Sequence, residues 1–287
     1  MQIIHTLDPL RRAIEQLRTS GPVALVPTMG ALHEGHLTLV REARKHAQSV
    51  VVSIFVNPLQ FGAGEDLDAY PRQLERDAGL LVAEGVDVLW APTVEAMYPA
   101  GFASNVSVAG VSEGLCGAAR PGHFDGVATV VGKLFNQVLP DVALFGQKDW
   151  QQLAVIRRMA RDLDLTRPAA DRIMGVETVR EADGLALSSR NAYLSPQQRA
   201  AAVALPDAMR AAIARIESGA PVPAALAKLE TDILAGGFHT VDYAQLREAA
   251  DLGLLDARAD KPMRLLVAAR IGTTRLIDNM AVAPTNN

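Results

Sequence analysis

Two histidines three residues apart, His33 and His36, stand in the segment Pro27-Thr28-Met29-Gly30-Ala31-Leu32-His33-Glu34-Gly35-His36. In the first turn of a helix, residues at that spacing share one face. Gly35 between them leaves the backbone open to a close approach. A helix N-terminus presents unpaired N–H groups and a partial positive charge, and both attract phosphate. Imidazole donors placed there could stabilise charge that builds on a phosphate under attack. Rival readings are a metal pair, although the zinc helix motif spaces its histidines four apart, or histidines that only cap a helix or fill a core. A Walker loop and a GxGxxG fingerprint are both absent.

Three further segments carry polar groups of the right kind. In Ser53-Ile54-Phe55-Val56-Asn57-Pro58-Leu59-Gln60-Phe61, the amides of Asn57 and Gln60 can present donors and acceptors to a small polar substrate; the plain alternative is an Asn-Pro turn. Gly62-Ala63-Gly64-Glu65-Asp66, just after, reads as a mobile gating loop. In Phe145-Gly146-Gln147-Lys148-Asp149-Trp150-Gln151-Gln152, a lysine at the start of a helix suits a phosphate, Asp149 could cap the helix, orient Lys148 or bind a ribose hydroxyl, and Gln152 faces the same way one turn on. Lys148 read alone is an ordinary surface charge. Leu187-Ser188-Ser189-Arg190-Asn191 sets two hydroxyls beside a guanidinium, an anion-binding group or an exposed turn with a helix cap at Ser195.

The elements that must position these groups follow from periodicity. Strands are expected at Pro22–Val26, Val50–Val56, Val86–Trp90 and Val142–Phe145, with helices at His33–Ala47, Tyr70–Glu84, Gly126–Leu139 and from Trp150 onward. Such alternation predicts an α/β fold: a Rossmann-like, doubly wound parallel sheet with right-handed crossovers and ligands beyond the carboxyl ends of its strands. After about residue 180 come alanine-rich helices (Pro196–Glu217, Ala224–Leu234) and two strands (Val241–Leu246, Arg264–Ala269), a second, smaller α+β C-terminal domain. The expected domains are 1–179 and 180–287.

The chain has 287 residues, 49% apolar, enough to bury a sizeable core. Its net charge of −4 gives no general attraction for nucleic acid or an anionic membrane. The single cysteine, Cys116, has no internal disulfide partner. With no secretory signal pattern and no apolar run long enough to span a bilayer, the chain reads as cytoplasmic.

In this order, the four segments resemble the signature segments of the pantothenate synthetase family, within the His-x-Gly-His nucleotidyltransferases. The resemblance runs from Val23-Ala24-Leu25-Val26 to Leu276-Ile277-Asp278-Asn279. It includes Arg120-Pro121-Gly122-His123-Phe124-Asp125-Gly126-Val127 and Asp183-Gly184-Leu185-Ala186-Leu187. It implies that Met29, Gly30, Ala31, Leu32, His33, Glu34, Gly35 and His36 line an ATP site. The matching family histidine makes His36 a proton donor, although stabilising an α-phosphate needs only a donor. By the same likeness Gly146, Gln147, Lys148 and Asp149 bind ATP, Val179 packs near adenine, and Leu187, Ser188, Ser189 and Arg190 close over the triphosphate. Gln60 contacts pantoate and β-alanine, Gln152 holds pantoate, and Asn57 helps place β-alanine. His33, His36, Lys148 and Arg190 form the implied catalytic set.

The implied reaction is adenylation of pantoate by ATP, then attack of β-alanine on the adenylate to give pantothenate and AMP. Mg2+ would accompany ATP, with its protein ligands unknown, and the family implies a homodimer. Gln147 departs from the glutamate expected there, and residues 165–170 form a slightly longer segment. Alternatives are another nucleotidyltransferase with a different acceptor, which need not share Asn57–Phe61 or Leu187–Arg190, and a non-catalytic nucleotide-binding module, which has no need of His33, His36 and Lys148 together.

Overall fold

The computed structural model describes residues 1–62 and 64–285. Ala63, within the expected gating loop, lies outside the described residues. The chain divides into two compact units, Met1–Gln147 with Gln152–Glu177, and Lys148–Gln151 with Thr178–Asn287.

In the first unit the order is β1 (Gln2–Ile4), α1 (Leu7–Arg18), β2 (Val23–Thr28), α2 (Glu34–His46), β3 (Ser49–Ile54), α3 (Leu74–Ala83), β4 (Val88–Trp90), α4 (Val94–Met97), α5 (Leu115–Ala119), α6 (His123–Val138), β5 (Val142–Gly146), α7 (Trp150–Asp162, whose first two residues group with the second unit) and β6 (Ile173–Val176). Six parallel strands pair in the order β1-β4-β3-β2-β5-β6. Valine-rich β3 suits the sheet because branched side chains pack well on a pleated surface buried on both sides. Val26, Val52, Leu89 and Leu144 pack under Leu39 and Val40 of α2 and Leu81 of α3; α1 and α6 also pack on β2. Strand order reverses at β2, so the carboxyl ends of neighbouring β2 and β5 flank a topological switch point. Met29–His33 follow β2, and Gly146 ends β5 with Gln147 following it.

Two helix boundaries differ from the periodic expectation. Helix α3 starts at Leu74 rather than Tyr70, because Pro71 disfavours helical geometry in the residue before it. Helix α6 starts at His123 rather than Gly126, after Gly122 in the left-handed region at φ 79°. Gly126 serves packing instead: a Cβ there would lie 2.2 Å from the Leu59 carbonyl oxygen.

The second unit contains α8 (Pro196–Ala201), α9 (Ala204–Glu217), α10 (Val222–Ala235) and an antiparallel sheet β7 (Thr240–Glu248), β8 (Met263–Ile271), β9 (Thr274–Val282) in the order β7-β8-β9. Leu205, Met209 and Ile216 of α9 and Leu229 and Ile233 of α10 bury against Leu246, Leu265, Val267 and Leu276. The expected single helical stretch from Pro196 is two helices. Ser195 caps the first, its hydroxyl accepting from Gln198 N at 3.2 Å. A third strand, β9, joins the two expected ones; its polar residues Asp278 and Asn279 break the apolar pattern, yet both are buried.

Candidate active site

At the end of β2 the backbone makes a fixed loop. Gly30 has φ 86° and Ala31 φ 51°, and a left-handed alanine costs about 1–2 kcal/mol. The carboxylate of Asp77 on α3, fully buried, holds this conformation. It accepts from Ala31 N at 2.8 Å and Leu32 N at 3.0 Å. His33 is then the N-cap of α2, its Nδ1 accepting from Gly35 N at 3.1 Å, while His36 Nδ1 accepts from His33 N at 3.3 Å. With Nδ1 an acceptor in each ring, the proton of the neutral imidazole sits on Nε2. The rings lie 4.1 Å apart between centroids. Two Nε2–H donors thus stand side by side at a helix N-terminus. Exposed Glu34 pairs with Arg41.

After β3, Asn57 is buried and uses all its polar valences within the protein. Nδ2 donates to Gln60 Oε1 and to Gly126 O, both at 3.1 Å, while Oδ1 accepts from Tyr98 OH at 2.7 Å and Leu59 N at 3.3 Å. Burial pushes the Tyr98 phenol above its ordinary range, which keeps it a donor. Gln60 is fixed at both ends. Its Nε2 faces Met29 Sδ at 2.9 Å, and its backbone carbonyl accepts from His123 Nδ1 at 2.8 Å and Arg120 Nη2 at 3.2 Å. Because guanidinium only donates, His123 Nε2, 3.0 Å from Arg120 Nη1, must be the acceptor. Arg120 also grips Glu65 with two bonds, at 2.7 and 2.6 Å, and holds that carboxyl below the usual glutamate range.

At the end of β5, Gln147 Nε2 donates to Gly175 O at 3.1 Å. A glutamate could not do so, which gives the unexpected glutamine a structural role. Gln152 lies half-buried in the first turn of α7.

In the second unit, the Lys148 side chain is 18% exposed with Nζ 3.7 Å from Asp149 Oδ1. Of the expected roles of Asp149, the one with a visible contact is orienting Lys148. Val179 O accepts from Leu187 N at 3.0 Å, closing a short hairpin. Beyond it Ser188 Oγ accepts from Arg190 N at 3.3 Å and starts the 3-10 turn Ser189–Tyr193. In the first unit the structure sets Met29 against Gln60, which Asn57 also holds, and pairs His33 with His36; in the second it joins Val179 to Leu187 at the start of Leu187–Arg190.

A family model described as pantoate-beta-alanine ligase matches residues 2–281. The chain belongs to that family. The pantothenate synthetase of Novosphingobium aromaticivorans is 68% identical over 99% of this chain and 100% of its own length. A solved pantothenate synthetase from Thermus thermophilus superposes with a TM-score of 0.92 at 49% identity, covering 99% of this chain and 100% of that one. A pantoate-beta-alanine ligase from Francisella tularensis, solved with beta-gamma ATP and beta-alanine, gives 0.82 at 32% identity over 98% and 97% of the two chains. The six-stranded parallel sheet and the separate antiparallel sheet are the architecture expected from the sequence.

The candidate site is also braced by residues that motif reading did not assign. Asp77 fell in the middle of the expected helix Tyr70–Glu84 with no assigned role, Tyr98 gave no signal, and Arg120 and His123 belonged to a matching segment without a role. Asp77 is the most telling. Asp77→Ala leaves two backbone N–H groups without their acceptor, each worth about 1–3 kcal/mol when buried. We expect a lower melting midpoint and, in the folded enzyme, a fall in kcat of roughly tenfold, since each 1.4 kcal/mol of lost transition-state stabilisation is tenfold in rate. Melting curves and initial rates check this together; an unchanged kcat would show that the loop keeps its shape without the carboxylate.

Proposed function

We propose that the ligase activates pantoate on the imidazole pair of the first unit, and the observation that carries this is the backbone lock on both Nδ1 atoms. The pantoate carboxylate attacks the α-phosphorus of ATP, and pyrophosphate leaves. Two Nε2–H donors of His33 and His36 meet the charge on the α-phosphate oxygens where water would otherwise have to reorganise. The free amine of β-alanine then attacks the pantoyl carbonyl, giving pantothenate and AMP.

Gln60 and Gln152 hold pantoate. A thioether is a weak acceptor, so Gln60 Nε2 exchanges Met29 Sδ for a substrate oxygen at little cost. Gln60 also meets β-alanine, and Asn57 acts on that substrate through the Gln60 Oε1 it fixes. Met29–His36 and Gly146–Asp149 contact ATP, Val179 lies near the adenine, and Lys148 with Leu187, Ser188, Ser189 and Arg190 engages the phosphates.

Among the described residues no group of three or more His, Cys, Asp or Glu could hold a metal ion. Mg2+ would accompany ATP and offset the charge of its phosphates. In this reading the ligase is a cytoplasmic homodimer with no nucleic-acid or membrane partner; no helix among the described residues is long and apolar enough to cross a membrane.

Substrate omission tests the scheme. Pyrophosphate should appear with ATP, Mg2+ and pantoate alone, while steady AMP release should need β-alanine. Pyrophosphate formed equally well without pantoate, or with unrelated acids, would overturn it.

A further inference from the structure

We infer that β9 is a positioning strand for ATP: its adjacent residues Asp278 and Asn279 seat the two phosphate-binding elements of the second unit. Asn279, 3% exposed, donates from Nδ2 to the Lys148 carbonyl at 2.8 Å. Its own orientation is set by Arg264, which donates to Oδ1, and by its N–H, which donates to Asp278 Oδ1 at 2.7 Å. Arg264 in turn stacks over Trp150, its guanidinium carbon 3.7 Å from the ring centroid, and Trp150 Nε1 donates to Ala249 O at 3.0 Å. Segment 148–151 is thus tied to the C-terminal sheet at several points, although it is remote in sequence.

Asp278, also 3% exposed, forms a fork-to-fork pair with Arg180: Nη1 to Oδ2 at 2.7 Å and Nη2 to Oδ1 at 2.9 Å. Arg180 Nη1 also donates to Gly184 O at 3.0 Å, inside the hairpin that ends at Leu187. Strand β9 further packs against the turn Ser189–Tyr193. One strand therefore fixes the backbone beneath Lys148 and the hairpin leading into Ser188–Arg190.

The physical consequence is pre-organisation. A lysine ammonium on a four-carbon stem is a mobile point charge, and its aim depends on where the chain carrying it is held. Asn279→Asp keeps size and the acceptor toward Arg264, but replaces the donor to Lys148 O by an oxygen. The inference rests on Lys148 and Arg190 meeting phosphate, and its test separates the two ideas.

The probe is α,β-methylene ATP with Mg2+, titrated calorimetrically into the full chain. Asn279→Asp should weaken binding about tenfold, equivalent to about 1.4 kcal/mol. Lys148→Ala should weaken it on its own, and the double variant should bind within about twofold of Lys148→Ala, because Asn279 acts through Lys148. A purely structural Asn279 would lower the melting midpoint and leave Kd alone. Normal binding by Asn279→Asp, or losses that multiply in the double variant, overturns the inference. Normal binding by Lys148→Ala overturns the premise instead. Should Asn279→Asp not fold, Asn279→Ala removes the same donor without adding charge and supports the same comparisons. Arg180→Lys, which loses the fork, paired with Arg190→Ala should show the same non-additivity; multiplied losses there would remove Asp278 from the inference.

Discussion

Replacing His36 by alanine is expected to slow formation of the pantoyl adenylate by about 10²–10³-fold, the usual cost of removing one pre-organised donor from a developing oxyanion. The argument rests on the division of work within the ring. Nδ1 serves the fold, accepting from His33 N, and Nε2–H is proposed to serve the chemistry. His36→Asn separates the two functions: its Oδ1 can reach the place of Nδ1 and still accept the backbone N–H, while nothing reaches the place of Nε2. That variant should keep the melting behaviour of the parent and share the rate loss of alanine, read as pyrophosphate release at saturating substrates. A rate within about tenfold of the parent would show that His33 and the helix N-terminus suffice without His36.

Lys148→Ala should have an effect of similar size on the same step. A cation directed at a leaving pyrophosphate works on charge that grows in the transition state, so its loss falls on the rate of adenylation. The bond from Asn279 goes to the backbone carbonyl of residue 148 and survives the substitution, so the fold should be intact. Quenched single turnovers with ATP and pantoate should show adenylate appearing about 10²-fold or more slowly. The attack of β-alanine on adenylate already formed should be unchanged. Lys148→Arg should recover only part of the rate, since a planar fork does not place its charge where an ammonium does. Normal adenylation in a folded Lys148→Ala enzyme would exclude Lys148 from the reaction.

The residues that could be read as chemistry were those whose meaning is local. His33 and His36 share a helix turn. Asn57 and Gln60 share a strand end. Ser188, Ser189 and Arg190 are consecutive. Type and spacing express such groups within a few residues, and the alternating apolar pattern put the first-unit segments at the ends of parallel strands. The residues that hold them were not legible, because each acts across a long separation. Asp77 reaches Ala31 from 46 residues away, His123 reaches the Gln60 carbonyl from 63, and Asn279 reaches Lys148 from 131. A lone aspartate in a helix, or an asparagine in a strand, reads as ordinary solvated polarity until its burial is known.

The same distinction explains what changed for individual residues. Asn57 read as a substrate amide, yet its donors and acceptors are spent on Gln60, Gly126, Leu59 and Tyr98. Gln147 read as a departure of unknown effect, yet it ties the end of β5 to β6. Sequence by itself determined the fold class and the family, and it nominated the groups proposed to meet ATP and pantoate, because these follow from short-range pattern. Only the tertiary structure decided which ring nitrogen carries the proton, which amides are already committed, and which remote carboxylates and amides hold the site. Those properties depend on where buried hydrogen-bonding groups find partners, and chain folding alone brings such partners together.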